Sequence, residues 1–249
     1  MIEKREDIIA GRNAVAEAVK AGRTLDCIMT VRGEKSGNIV PLLAQCRKKG
    51  LVIKEVSKVK LDALCDGGAH QGIIALVPAA QYSSVADMLA LASERGEQPF
   101  LIIADEINDP HNLGAIIRTA ECAGAHGVIL PKHRAAGLTF AVSKAAAGAL
   151  EYLPVAKVTN LTKEIEMLKE QGFWIYGADM GGSTYTKTDF TGAIALVIGS
   201  EGGGIGRLVK EQCDHLVSIP LKGKISSLNA SVAAGVLMME IANQRAKAI

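Results

Sequence analysis

Three stretches decide the fold: Asn108-Asp-Pro-His-Asn-Leu-Gly-Ala-Ile-Ile-Arg-Thr119, Ile198-Gly-Ser-Glu-Gly-Gly-Gly-Ile205 and Ile219-Pro-Leu-Lys-Gly-Lys-Ile-Ser-Ser-Leu-Asn-Ala-Ser-Val-Ala233. Each stands beside an apolar run and leads into a stretch of helical spacing. Each places small, amide or hydroxyl residues where a strand would end. Open α/β sheets bind their ligands at the carboxyl ends of strands.

Working outward, residues 100–104, 127–130, 173–177, 194–198 and 215–221 read as strands. Helical spacing covers residues 113–123, 138–150, 160–171, 205–213 and 228–246. Near-continuous apolar strands separated by helices predict a parallel sheet covered on both faces. Upstream, residues 10–20, 39–49 and 59–65 read as helices, and 25–31, 51–56 and 72–77 as strands. This is a second, smaller α/β unit. Residues 78–99 read as a connector with a candidate helix over 85–93, and the polar, turn-like stretch Glu94-Arg-Gly-Glu-Gln-Pro99 sets the boundary. The expected organisation is a small domain over 1–78, a linker over 79–98 and a large domain over 99–249.

The chain has 249 residues, 49% hydrophobic and 22% charged, which predicts a globular protein with a sizeable core. No apolar run reaches the roughly 18 residues of a membrane span. The amino terminus shows no apolar stretch after its charges, so a cytoplasmic location is expected. The five cysteines (Cys27, Cys46, Cys65, Cys122 and Cys213) have no Cys-x-x-Cys spacing, so buried thiols are expected rather than a metal site or disulfides. Residues 1–80 carry a charge balance of +4 and residues 81–249 one of −2, which points to an anionic partner for the first domain.

The stretch Gly199-Ser-Glu-Gly-Gly-Gly-Ile205 fails the dinucleotide pattern, because Arg207 stands where the third glycine belongs. No Gly-Lys-Ser/Thr follows, so it is not a phosphate loop of nucleotide hydrolases. Its glycines let backbone amides approach another kind of ligand. In the third stretch Ser226, Ser227 and Asn229 can cap a helix, with groups to spare for a ligand. Asn112 and Arg118 are expected on the same general side of one helix. Apolar neighbours predict some burial for Arg118, and a buried arginine needs an anionic partner, either Glu201 or a nucleic-acid phosphate.

Together these stretches resemble the three motifs of the SpoU/TrmH branch of the SPOUT RNA 2′-O-ribose methyltransferases. The match covers residues 99–249. The Arg12-Asn13 start, the His133-Arg-Ala-Ala-Gly-Leu-Thr stretch and Lys144 further resemble the subgroup that methylates a guanosine ribose in large-subunit (23S) ribosomal RNA. Phe140 stands where proline is expected, and Ala230 where valine is common in the third motif.

The resemblance implies S-adenosylmethionine as cofactor, RNA as substrate, and an L30e-like first domain. It also implies a homodimer whose SPOUT domain carries a trefoil knot at its carboxyl end. Carried over by motif, Gly199, Ile219, Ser227, Leu228 and Asn229 are the expected cofactor contacts. Arg118, Asn112 and Glu201 are the expected catalytic residues. Arg12, Asn13, Arg134 and Lys144 are expected to bind RNA. A guanidinium resists deprotonation, so Arg118 is read as a charge that stabilises a developing alkoxide rather than as a base. A tRNA methyltransferase and a non-catalytic RNA-binding protein of the same fold, assisting ribosome assembly, are the competing readings.

Overall fold

The computed structural model describes residues 8–34, 37–65, 68–77 and 82–247. The chain divides into two compact units. The first comprises residues 1–81 with 137–152, and the second residues 82–136 with 153–249.

The first unit holds strands β1 (Ile8–Ala10), β2 (Cys27–Val31), β3 (Ile53–Val56) and β4 (Ile73–Leu76), in the order β1-β4-β2-β3. Strand β4 is antiparallel to β1 and β2, whereas β2 and β3 are parallel, so the sheet is mixed. Helices α1 (Arg12–Lys20) and α2 (Ile39–Lys48) bury Val15, Ala18, Leu42 and Cys46 against one face. Helix α3 (Lys58–Leu64) closes the other face with Leu61. Sequence periodicity missed β1, because three apolar residues before Gly11 are too few to show alternation.

The expected helix over 138–150 is shorter. Helix α6 (Phe140–Ala146) stops where Ala147 and Gly148 both take positive φ, and a 3₁₀ turn (Ala149–Glu151) follows. This segment packs in the first unit. The nearly buried Glu151 accepts from Arg23 at 2.7 Å, and Tyr152 bonds Glu17.

The second unit begins with α4 (Val85–Arg95), inside the stretch expected as a linker. A reciprocal cap between Ser84 and Asp87 starts this helix, and left-handed Gly96 ends it. Met88 is fully buried with Leu101 and Ile103. A Cβ on Gly127 would sit 2.2 Å from the Met88 sulfur, so a side chain there would displace the Met88 thioether.

Six strands follow: β5 (Phe100–Ala104), β6 (Gly127–Pro131), β7 (Val155–Val158), β8 (Trp174–Thr184), β9 (Ile194–Ile198) and β10 (His215–Ser218). Their order is β10-β8-β9-β5-β6-β7, and every pairing is parallel, as the apolar strands predict. Helices α5 (Pro110–Cys122), α7 (Leu161–Glu170), α8 (Arg207–Glu211) and α9 (Ala230–Lys247) connect or cover them. Strands β5 and β9 are wholly buried, so the centre of the sheet is the core. The carboxyl ends of β5, β9 and β10 lead into the loops of the next section.

Candidate active site

A cavity of about 670 Å³ opens beyond the ends of β9 and β10 and beside the middle of β8. Its walls come from three segments: residues 178–180, the glycine loop after β9, and the loop between β10 and α9. Val217, Ala233 and Leu237 supply apolar surface, while Gly199, Gly202, Gly204, Ile219 and Leu228 line it.

The glycine loop is built from within. Ser200 and Gly204 exchange backbone hydrogen bonds of 3.0 and 2.9 Å. A Cβ on Gly199 would lie 2.1 Å from the Gly204 carbonyl carbon, so only glycine fits. Gly202 and Gly204 have φ of 85° and 65°, the region glycine occupies without penalty. The tight loop thereby presents Glu201 to its neighbours.

Glu201 accepts from Asn112 Nδ2 at 3.0 Å and from Asn229 Nδ2. Asn229 Nδ2 also reaches Asn112 Oδ1 at 2.9 Å. One residue from each of the three motif stretches therefore meets in a single cluster. Asn229 performs a second task, since its Oδ1 accepts from the backbone N–H of Ser231 and Val232 and caps α9. The cap is Asn229, not Ser226 or Ser227, both of which are exposed and line the cavity. The expected cofactor residues Gly199, Ile219, Ser227, Leu228 and Asn229 all line this one cavity, as does Glu201.

Arg118 departs from expectation. It is exposed and makes no ion pair among the described residues, while Asn112 is buried. Six residues at about 100° each place the two side chains about 120° apart around α5, not on one side. Glu201, offered as the partner of Arg118, is engaged by the two asparagines instead.

The residues expected to bind RNA belong to both units. In the first unit, Arg12 donates its backbone N–H to the Gln71 side chain and its Nε to the Gln71 carbonyl, each at 3.0 Å. Asn13 and Lys144 are exposed there. In the second unit, Arg134 pairs with Glu106 at 3.0 Å, and both residues have positive φ. The cysteines are mixed: Cys122 is exposed and Cys213 half-buried, whereas the other three are buried as expected.

Sequence reasoning missed two contributors. Strand β8 continues past its expected end at Gly177. Gly177 pairs with Leu216 and Ser183 with Val217, so residues 178–182 bulge out and carry Asp179 and Met180 to the cavity wall. The Lys210 ammonium at 2.6 Å, with the Gly181 N–H, holds the Asp179 carboxyl below the usual carboxylate range. The Gly181-Gly182 pair was the available signal, since a Cβ on Gly182 would strike Leu216 backbone at 2.3 Å. The second is Asp105, at the carboxyl end of β5, which accepts from Gly206 N–H at 2.7 Å.

Residues 99–239 match the SpoU rRNA Methylase family, and residues 8–83 match the family described as RNA 2′-O ribose methyltransferase substrate binding. The chain belongs to the SpoU methylase family. This SpoU chain is 45% identical over 245 residues to the TrmH family protein YacO of Bacillus subtilis, covering 98% of each. It is 41% identical to a TrmH family protein of Staphylococcus saprophyticus, covering 96% of each. Among solved structures it resembles the SpoU methyltransferase AviRb of Streptomyces viridochromogenes, determined with AdoMet, with a TM-score of 0.79 and 25% identity over 96% of this chain and 90% of that one. A TrmH/SpoU tRNA modifying enzyme of A. aeolicus gives a TM-score of 0.56 and 26% identity, over 61% of this chain and 78% of that one.

Proposed function

We propose that the protein methylates the 2′-hydroxyl of a guanosine in 23S ribosomal RNA, as a cytoplasmic homodimer. The general activity follows from family membership: the chain is an S-adenosylmethionine-dependent RNA 2′-O-methyltransferase. The observation that carries the reading is the joining of Asn112, Glu201 and Asn229 at a cavity beyond parallel strand ends.

The cavity suits the cofactor. Its volume of about 670 Å³ lies within the roughly 300–1,000 Å³ of small-molecule sites. Its wall is rich in glycine backbone with apolar patches, which suits a ligand with both flat apolar and polar parts. S-adenosylmethionine, when bound, supplies an electrophilic methyl group carrying a good leaving group. Gly199, Ile219 and Leu228 would hold it, with Ser227 and Asn229 beside them. Glu201, fixed by the two asparagines, shapes the site. The exposed guanidinium of Arg118 is available to an RNA phosphate and to negative charge growing on the ribose oxygen.

The choice of ribosomal RNA is supported by architecture. An rRNA methyltransferase from Sinorhizobium meliloti shares the fold across 95% of this chain with a TM-score of 0.76, whereas the A. aeolicus tRNA enzyme covers 61%. The basic first domain suits a large anionic substrate. Arg12, Asn13, Arg134 and Lys144 are the proposed contacts.

The dimer is supported by apolar surface left uncovered in the single chain. Ile225 is 76% exposed, and Val232 and Met239, seven residues apart on α9, are each about half exposed. A helix apolar on two sides calls for a covering surface on both. The same reading carries the family's knot, which is supported by the passage of the chain from β9 across β8 to β10 at the sheet edge.

The test is methyl transfer from labelled cofactor to unmethylated 23S and transfer RNAs, with the modified nucleotide mapped. Transfer to a 23S guanosine ribose is expected, and transfer to transfer RNA alone would overturn the substrate. Arg118→Ala is expected to lower kcat by about 10²–10³, with Arg118→Lys recovering part of it. A lysine variant as inactive as the alanine one, with RNA binding intact, would rule out simple charge stabilisation. Native mass should report a dimer.

A further inference from the structure

Asp105 is buried, 4% exposed, at the carboxyl end of the central strand β5. Its backbone N–H donates to the Ile198 carbonyl at 2.8 Å, where the glycine loop begins. Its carboxylate accepts from Gly206 N–H at 2.7 Å, where the loop ends. One residue thus grips both ends of the loop that presents Glu201. Between those ends the loop is held by the Ser200–Gly204 pair, which closes it on itself but does not anchor it to the sheet.

A buried carboxylate is costly unless it is bonded. Burial pushes the Asp105 carboxyl up, and the Gly206 N–H pulls it back. An apolar residue would suit the core at less cost, so the carboxylate has a task. Its bond is charge-assisted, and such bonds are shorter and stronger than neutral ones. The bond fixes Gly206, the residue that precedes α8, with Ile205 buried in the core beside it. The loop's exit is therefore set by β5, the same strand whose end leads to α5 and Asn112.

We propose that Asp105 is a positioning residue for methyl transfer: by clamping residues 199–206 to β5, it holds Glu201 where Asn112 and Asn229 reach it and keeps the cofactor cavity formed. This rests on the reading of the cavity as the cofactor site. Asp105 acts through the loop and not by touching substrate.

The test compares Asp105→Ala and Asp105→Asn in the full chain. An asparagine carbonyl can still accept from Gly206 N–H, whereas alanine cannot. In cofactor-free protein, amide exchange across 199–206 should accelerate at least about tenfold in the alanine variant, the scale of one lost charge-assisted bond, and less in the asparagine one. The KM for S-adenosylmethionine should rise by about tenfold or more with alanine and largely recover with asparagine. The KM for RNA should stay within about twofold, since the clamp lies on the cofactor side.

Unchanged loop exchange in Asp105→Ala would overturn the proposal. Equal acceleration in β5, β9 and the loop would too, by showing general stability instead of positioning. An asparagine variant as impaired as alanine would assign the effect to charge and remove the clamp. If the native protein binds no S-adenosylmethionine, the functional reading fails, and the exchange comparison still decides the role of Asp105.

Discussion

The two loops that form most of the cavity are built in opposite ways. Residues 199–206 are bonded to themselves and clamped to β5 through Asp105. Residues 219–228 make no hydrogen bond among the described residues, and all but half-buried Ile219 are exposed until Asn229 begins α9. One loop is held by its own bonds and by the sheet. The other has its ends fixed, by β10 and by the Asn229 cap, and its middle free. Pre-organised groups give affinity at low entropic cost, whereas a loop ordered on binding spends part of the interaction energy on ordering itself. The contrast assigns the rigid loop to holding Glu201 in place, while the open loop lines the cavity with Ile219, Leu221, Ser227 and Leu228.

The largest expected effect comes from disturbing the built loop. Gly199→Ala forces a Cβ to 2.1 Å from the Gly204 carbonyl carbon. Backbone clashes of this kind cost several kcal/mol or move the loop. Cofactor affinity measured by calorimetry should fall by about a hundredfold or more, which about 2.7 kcal/mol produces. An alanine variant with native affinity would show that the loop is not rigid.

Asn229→Ala strikes the junction between the two loops. It removes the α9 cap and two bonds in the motif cluster. The cap alone is worth about 1 kcal/mol, so thermal unfolding should shift down measurably and cofactor affinity drop about tenfold. Asn229→Asp keeps the cap but sets a carboxylate against Glu201. It should recover the thermal stability near neutral pH and not the affinity. Recovery of both would remove the cluster's role in binding.

Gly223→Ala is the counterpart in the open loop. A Cβ there would meet nothing closer than the Ile225 nitrogen at 4.0 Å. Stability should change by no more than about 1 kcal/mol, on the favourable side if the unfolded chain is restrained. A loss of affinity as large as that of Gly199→Ala would erase the distinction between the loops.

The smallest effect on the cavity is expected at the opposite end of the same sheet. Fully buried His126 accepts from Phe100 N–H at 3.0 Å through Nδ1 and meets Glu97 through Nε2. Burial lowers its affinity for a proton below the ordinary 6.5, although Glu97 opposes this. A group depressed on folding takes up protons more readily when unfolded. His126 therefore contributes stability above pH 6.5 and loses it as pH falls through and below that value. His126→Gln should flatten this acid limb of thermal unfolding below pH 6.5, with cofactor affinity at pH 7.5 unchanged. A steeper limb in the variant would reverse the assignment.

Much of this was legible in the sequence, for identifiable reasons. The central strands β5 and β9, and nearly all of β6, are buried on both faces, so they are apolar runs bounded by glycine and polar residues. The glycine loop shows itself because glycines are required at Gly199, Gly202 and Gly204, and their clustering exceeds what one turn needs. Strand β1 and the continuation of β8 were hidden, one by its length and the other by a bulge that breaks the alternation. Helix α4 (Val85–Arg95) lay in a stretch read as a linker, yet residues 85–93 within it already had helical spacing; what was hidden is its packing into the large unit, since Gly96 and the polar residues after it resemble a connector.

The sequence alone determined that this chain forms two α/β units and that three motif stretches end strands of one parallel sheet. Local periodicity and turn chemistry are properties of neighbouring residues and need no knowledge of the whole. Only the tertiary structure decided which side chains meet. It gave Glu201 to Asn112 and Asn229, left Arg118 exposed, and made Asp105 a clamp across residues 105 and 206, which are a hundred and one positions apart. Such meetings depend on strand order and register, which place distant residues side by side and leave no trace in local spacing.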